Sequence, residues 1–114
     1  MEKLYNQMKE YLNMDDEISF GEFLEYYEEV MEFLKNNFEE LNDEEAHQGR
    51  FILLNLSSNA GERAKRKGPL AKKYKKLREK TQFWEDAMTY RLKNNMGLTN
   101  KQIDDRYLEL YDSV

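Results

Sequence analysis

Cysteine is absent from the 114-residue sequence, so disulfide bonds and thiolate metal sites are excluded. This absence is typical of proteins in a reducing compartment. The longest apolar run is residues 51–54, whereas a membrane-spanning helix needs about 20 apolar residues. The start of the chain alternates charged and apolar side chains and lacks the apolar segment of a signal peptide. We therefore expect a soluble cytoplasmic protein with no membrane partner.

The sequence also lacks the motifs that carry most enzyme chemistry. It has no glycine-rich phosphate loop, no Gly-x-Ser-x-Gly nucleophile elbow and no cysteine nucleophile. The single histidine, His47, forms one Glu-x-x-His pair with Glu44, but helical di-metal sites use that motif twice. We predict instead that His47 is a solvent-exposed residue in the first turn of a helix. The expected protein is non-enzymatic, with no cofactor, no metal ion and no small-molecule substrate.

Charge is distributed unevenly along the chain, whose net charge is −5. Residues 1–46 carry 15 acidic and 3 basic side chains, whereas residues 47–80 carry 2 acidic and 11 basic ones. Residues 81–114 carry 6 acidic and 4 basic side chains. An acidic half followed by a basic stretch indicates an anionic partner, self-association or pairing within the molecule.

Apolar residues recur at steps of three and four through nearly the whole chain, which predicts α-helices and no sheet. Gly68 and the only proline, Pro69, mark the end of one helix and the start of the next. Gly97 interrupts the pattern before the last helix. Together these signals predict helices at about 2–13, 19–41, 43–66, 69–95 and 99–112. The fold is expected to be all-α, a single-domain bundle of four to five helices.

The predicted helix at 19–41 has a clear two-sided pattern. Ser19 and Glu22 match a capping box at its start. Its apolar residues form one stripe, and the opposite face carries a row of glutamates, namely Glu22, Glu25, Glu29 and Glu32. Phe33 falls outside the stripe, so it either packs against another helix or marks a partner surface.

The predicted helix at 43–66 is apolar on all sides around residues 51–56, which indicates a central buried helix. Residues 57–61 have poor helix propensity, so they form either a close-packing face of small residues or a break. The following helix has alternating steps of four and three that predict a buried seam. The seam comprises Leu70, Tyr74, Leu77, Thr81, Trp84 and Met88, and it places Trp84 in the core.

The most basic stretch crosses the turn between these two helices. It comprises Arg63, Lys65, Arg66, Lys67, Lys72, Lys73, Lys75, Lys76, Arg78 and Lys80. The helix dipole favours cations in the last turn of a helix and disfavours them in the first, by roughly 0.3–1 kcal/mol each. Stability alone therefore does not select lysines at the start of the helix at 69–95. We predict that residues 63–80 form an anion-binding corner.

Internal neutralisation is the structural alternative for this corner. In an up-down bundle the turn lies at the same end as Asp15, Asp16 and Glu17. The larger acidic group at 39–45 then lies at the opposite end, roughly 36 Å away along a helix of about 24 residues. Three carboxylates leave most of the ten cations without a partner, so the surplus is expected to face a ligand.

Three functions fit this charge layout. The leading hypothesis is a regulatory or accessory protein that binds the nucleic-acid backbone through residues 63–80, largely without base recognition. The alternative is a protein-interaction module or inhibitor that mimics nucleic acid and presents Glu22, Glu25, Glu29 and Glu32 to a basic protein partner. The third is a homo-oligomer in which the acidic end of one copy meets the basic end of the next.

Overall fold

Five α-helices and no strand make up the fold in the computed structural model, which describes all 114 residues. The helices are α1 (Glu2–Leu12), α2 (Phe20–Asn37), α3 (Asp43–Ala64), α4 (Ala71–Tyr90) and α5 (Asn100–Asp112). A 3-10 turn at Phe38–Glu40 follows α2, and a π-helical turn at Arg91–Asn95 continues α4. The prediction of an all-α bundle is confirmed.

Side-chain caps begin three of the five helices. Ser19 accepts a hydrogen bond from the N–H of Glu22 at 3.2 Å, but the Glu22 side chain makes no return bond, so the predicted capping box is incomplete. Asn42 and Thr99 begin α3 and α5 with complete capping boxes. No side chain caps the start of α4, which follows Leu70. This difference matters for the charges that surround α4.

α3 is the central helix of the bundle, as the apolar pattern predicts. It contributes 12 of the 28 buried residues and packs against α1, α4 and α5. Residues 57–61 are helical, and Ser57, Ala60 and Gly61 are buried, so they form a close-packing face and not a break. A β-carbon built on Gly61 would lie 3.2 Å from the guanidinium carbon of Arg78, which shows how closely α4 approaches.

Twenty-one buried apolar side chains form one cluster to which all five helices contribute. α2 joins it through an aromatic face. Tyr26 donates a hydrogen bond to the Leu4 carbonyl at 2.7 Å, and the Phe23 and Tyr74 ring centroids are 5.4 Å apart. Phe33 is half-buried and packs against the edge of the cluster, so it contacts the rest of the bundle.

Three predicted burial assignments are wrong. His47 is only 8% exposed, because α5 packs along the first half of α3. Trp84 is half-buried and not in the core. It packs against Phe38, with ring centroids 5.6 Å apart, because the buried seam of α4 is centred on Thr81 and Met88. The seam also loses its first predicted member, since Leu70 is 38% exposed.

The two ends of the molecule, which is 43 Å long, differ in charge as expected. At one end the α1–α2 connection meets the α3–α4 turn, where Glu17 pairs with Arg66 at 2.7 Å. At the other end Arg91 donates hydrogen bonds to the carbonyls of Glu39 and Leu41, at 2.9 and 2.8 Å. The acidic group at 39–45 is thus held away from the basic corner. None of the helices combines the length and apolar character that a membrane crossing requires.

Candidate nucleic-acid interface

The basic corner, residues 63–80, consists of the end of α3, a turn and the first half of α4. Gly68 adopts a φ of +152°, which glycine tolerates better than other residues, and this conformation reverses the chain between the helices. No side chain caps α4 and its first turn contains no acidic residue, so the positive end of its dipole lies among cations. A cleft of about 300 Å³ separates the turn from residues 17–20.

Arg63 is not a surface cation, contrary to its predicted place in the anion-binding set. Its side chain is only 7% exposed and its guanidinium carbon lies 4.9 Å from the Phe23 ring centroid and 5.4 Å from that of Tyr74. It also donates a hydrogen bond to the Tyr74 hydroxyl at 3.0 Å. Arg63 is therefore a packing residue between α2, α3 and α4.

Arg66 is exposed but already has a partner. It donates a 2.7 Å hydrogen bond to Glu17, and this contact, with the nearby charge of Arg63, lowers the pKa of the Glu17 carboxyl below its ordinary value. Internal neutralisation therefore occurs, as the alternative predicts, but it involves Glu17 alone. Asp15 and Asp16 at the same end form no ion pair.

Seven lysines of the corner remain unpaired, and we refer to them as the lysine patch. They are Lys65, Lys67, Lys72, Lys73, Lys75, Lys76 and Lys80. All are exposed and none makes an ion pair. The Lys73 ammonium lies 5.7 Å from the Phe20 ring centroid, which places its stem along α2 while its charge stays exposed. The structure thus leaves seven of the ten predicted cations exposed and unpaired.

Arg78 lies apart from most of the lysine patch. It is exposed, and its guanidinium packs against α3 at Gly61. It also lowers the pKa of Glu85, although burial raises the pKa of that carboxyl by more. Arg78 therefore belongs to the contact between α3 and α4.

The chain matches no known protein family, no curated protein and no solved structure.

The acidic row on α2 is equally exposed. Its members are Glu22, Glu25, Glu29 and Glu32, and none of them pairs with a cation. Glu32 accepts a hydrogen bond from Asn36 within the same helix. The predicted row of glutamates opposite the apolar stripe is therefore present as a solvent-facing surface.

α4 also carries two exposed aromatic residues, of which Phe83 escapes sequence-based reasoning. Phe83 is 67% exposed and Tyr90 is 63% exposed, both on α4. The sequence does contain a signal for the exposure of Phe83. It is an aromatic residue that lies next to Trp84 in the chain but outside the predicted seam. Which side of α4 remains uncovered depends on the tertiary packing.

Proposed function

We propose that the protein is a non-enzymatic accessory or regulatory protein that binds the phosphate backbone of nucleic acid through the lysine patch. The observation that carries this proposal is the surplus of charge. Seven exposed lysines lie before the uncapped start of α4 and along its first three turns. Only two acidic side chains, Glu62 and Glu79, lie beside them in the chain, and Glu17 across the cleft is already paired with Arg66. A polyanion would relieve the mutual repulsion of these lysines and complement the helix dipole.

Lysine chemistry favours backbone contact over base recognition. A lysine ammonium is a flexible point charge, whereas the bidentate recognition of guanine depends on the planar fork of arginine. The corner's arginines have other contacts: Arg63 with Tyr74, Arg66 with Glu17 and Arg78 with α3. Binding through the lysine patch is therefore expected to be largely independent of sequence.

A basic protein partner is the second candidate, and the exposed acidic row on α2 supports it. From Glu22 to Glu32 the row extends roughly 15 Å along the helix, with no cation neutralising it. Because the same molecule carries the lysine patch, head-to-tail assembly of copies is the third arrangement that would satisfy both surfaces.

A pair of matched variants separates the candidates. In one, Lys72, Lys73, Lys75 and Lys76 are replaced by glutamine; in the other, Glu22, Glu25, Glu29 and Glu32 are replaced by glutamine. Fluorescence anisotropy of labelled generic DNA and RNA is measured against salt concentration. Each duplex phosphate contact contributes roughly 0.9 to the slope of log affinity against log salt, so the lysine variant should flatten the slope by up to roughly 3.6. The glutamate variant should bind as well or more tightly, because it carries less negative charge.

Other outcomes point away from the proposal. If the unmodified protein binds neither DNA nor RNA at low salt, nucleic-acid binding is excluded. If sedimentation shows salt-sensitive self-association that both variants abolish, the result supports head-to-tail assembly in place of nucleic-acid binding. Equal helicity of both variants by circular dichroism is the control for folding, because all eight residues are exposed.

A further inference from the structure

Two exposed aromatic side chains of α4 lie on the same face of the helix as three lysines of the lysine patch. Lys72, Lys76 and Lys80 follow one another at four-residue intervals, which keeps them on one side of a helix. Phe83 lies eleven residues after Lys72, and Tyr90 seven residues after Phe83. At 3.6 residues per turn, eleven residues make about three turns and seven residues make about two. The five side chains therefore form one exposed stripe roughly 27 Å long.

The aromatic part of this stripe is unusually exposed for this protein. Phe83 and Tyr90 are more exposed than any other large apolar side chain in the bundle. Phe83 has one aromatic neighbour, Trp84, whose ring centroid is 5.7 Å away in an edge-to-face arrangement. The Tyr90 hydroxyl makes no hydrogen bond within the protein, and both rings are largely exposed to solvent.

The surroundings of the stripe favour one side of it for an anionic ligand. By the helical repeat, the exposed carboxylates Glu79 and Asp86 border the stripe on one side. On the other side it is bordered by Lys73 and by half-buried Trp84. An anionic chain would therefore run along the lysine side, over the aromatic rings and away from the acidic border.

We infer that this stripe binds single-stranded nucleic acid, with Lys72, Lys76 and Lys80 contacting phosphates and with Phe83 and Tyr90 stacking on unpaired bases. The inference rests on the proposed function and adds the form of nucleic acid that is bound. Unpaired bases expose faces that aromatic side chains can cover, whereas a duplex offers mainly its backbone to a surface helix. Stacking tolerates every base, which agrees with the absence of side chains placed to read bases.

The test compares strand types and single aromatic substitutions. Labelled oligo(dT), oligo(U) and a mixed-sequence duplex of equal length are titrated at low salt, with anisotropy as the readout. Phe83→Ala and Tyr90→Ala should each weaken single-strand binding roughly 5- to 150-fold, the range expected for one stacked base, and leave duplex binding unchanged. Phe83→Leu, which keeps apolar bulk without a ring, should weaken binding like Phe83→Ala. Trp84, the only tryptophan, should change its emission when a single strand binds, because it contacts Phe83.

Matched controls lie on α5, where Leu108 is 56% exposed and Tyr111 is 52% exposed. Leu108→Ala and Tyr111→Ala should leave binding of every probe unchanged. Equal affinity of the aromatic variants and the unmodified protein for single strands would overturn the inference, while lysine-dependent binding would keep the proposed function. Equal affinity for duplex and single strand would also overturn the inference, and so would full affinity of Phe83→Leu for single strands. In both cases lysine-dependent binding would keep the proposed function. Absence of binding to all three probes would remove both proposals.

Discussion

Arg63 is the buried cation that joins three helices at the basic end of the molecule. Its charge lies over the rings of Phe23 and Tyr74, and aromatic faces attract a cation most strongly where water is excluded. Its Nε has no hydrogen-bond partner, and the nearest carboxylate oxygen, on Glu17, is 3.6 Å away. Arg63 belongs to a charged run of the sequence, but it is part of the structural framework of the corner.

His47 is the residue that gives the clearest dependence of stability on pH. Burial disfavours the imidazolium and lowers the pKa of His47 below its ordinary value of 6.5, and the charges of Arg106 and Arg50 act in the same direction. Asp43, 3.3 Å away, and Glu44 oppose this shift without reversing it.

We expect the free energy of unfolding to decrease as the pH falls below 6.5, because the unfolded chain then binds the proton more readily than the folded one. Above pH 6.5 His47 contributes no pH dependence. His47→Gln should remove this slope between pH 6.5 and about 5, where ordinary carboxyls remain ionised. Urea unfolding of both proteins at several pH values measures how the free energy of unfolding changes with pH. A rise in stability on acidification would mean that the Asp43 contact outweighs burial.

At the scale of whole helices, the packing of α3 against α4 depends on small residues of α3. Gly49 and Gly61, twelve residues apart on α3, both face side chains of α4, namely Met88 and Arg78. Small residues let helix axes approach within the lower part of the usual range of 8–10 Å. Trp84 lies beside the seam of α4 and packs against Phe38, which follows the end of α2.

Gly49→Val should destabilise the protein by about 1–3 kcal/mol through overpacking. A β-carbon at Gly49 would already lie 2.9 Å from the terminal methyl of Met88 and 3.3 Å from that of Met1, and the branches of valine extend further. Gly21→Val is the matched control, because the nearest atom to a β-carbon there is the Ser19 hydroxyl at 3.9 Å. The control should change stability by no more than about 0.5 kcal/mol. Equal losses in chemical denaturation would show that helix propensity, and not close packing, is responsible.

At the scale of the whole molecule, one apolar cluster connects helices that carry opposite charge. The acidic row on α2 and the lysine patch on α4 lie on separate surfaces, and the few ion pairs between helices involve Glu17, Glu44 and Asp104. The carboxylates of these pairs are exposed to water, which weakens the pairs, so the apolar cluster holds the bundle together. The uncompensated charge is then available for partners.

We expect the bundle to unfold in one cooperative transition, because all five helices contribute to the same cluster. Helix content by far-UV circular dichroism and Trp84 fluorescence should give coincident melting curves. For a chain of 114 residues the unfolding enthalpy should be roughly 80 kcal/mol near 60 °C. An earlier fluorescence transition would show that the contact of Trp84 with Phe38 opens before the rest of the fold.

Local chemistry by itself determined the helices, their approximate boundaries and the position of the basic turn. Apolar periodicity, the caps at Ser19 and Asn42 and the Gly68-Pro69 pair act within a few residues, so they can be read from the chain. Local chemistry left two alternatives for residues 57–61, a close-packing face or a break, and the contact of α3 with α4 decided for close packing.

Only the tertiary structure decided which charges and rings remain free. Arg63 and Lys65 are neighbours in one basic run, yet α2 and α4 cover the first and leave the second exposed. His47 is buried because α5 packs beside it, and Phe83 is exposed because no helix covers that side of α4. The physical reason is that burial depends on which element lies opposite a residue, and residues far apart in the chain supply that element.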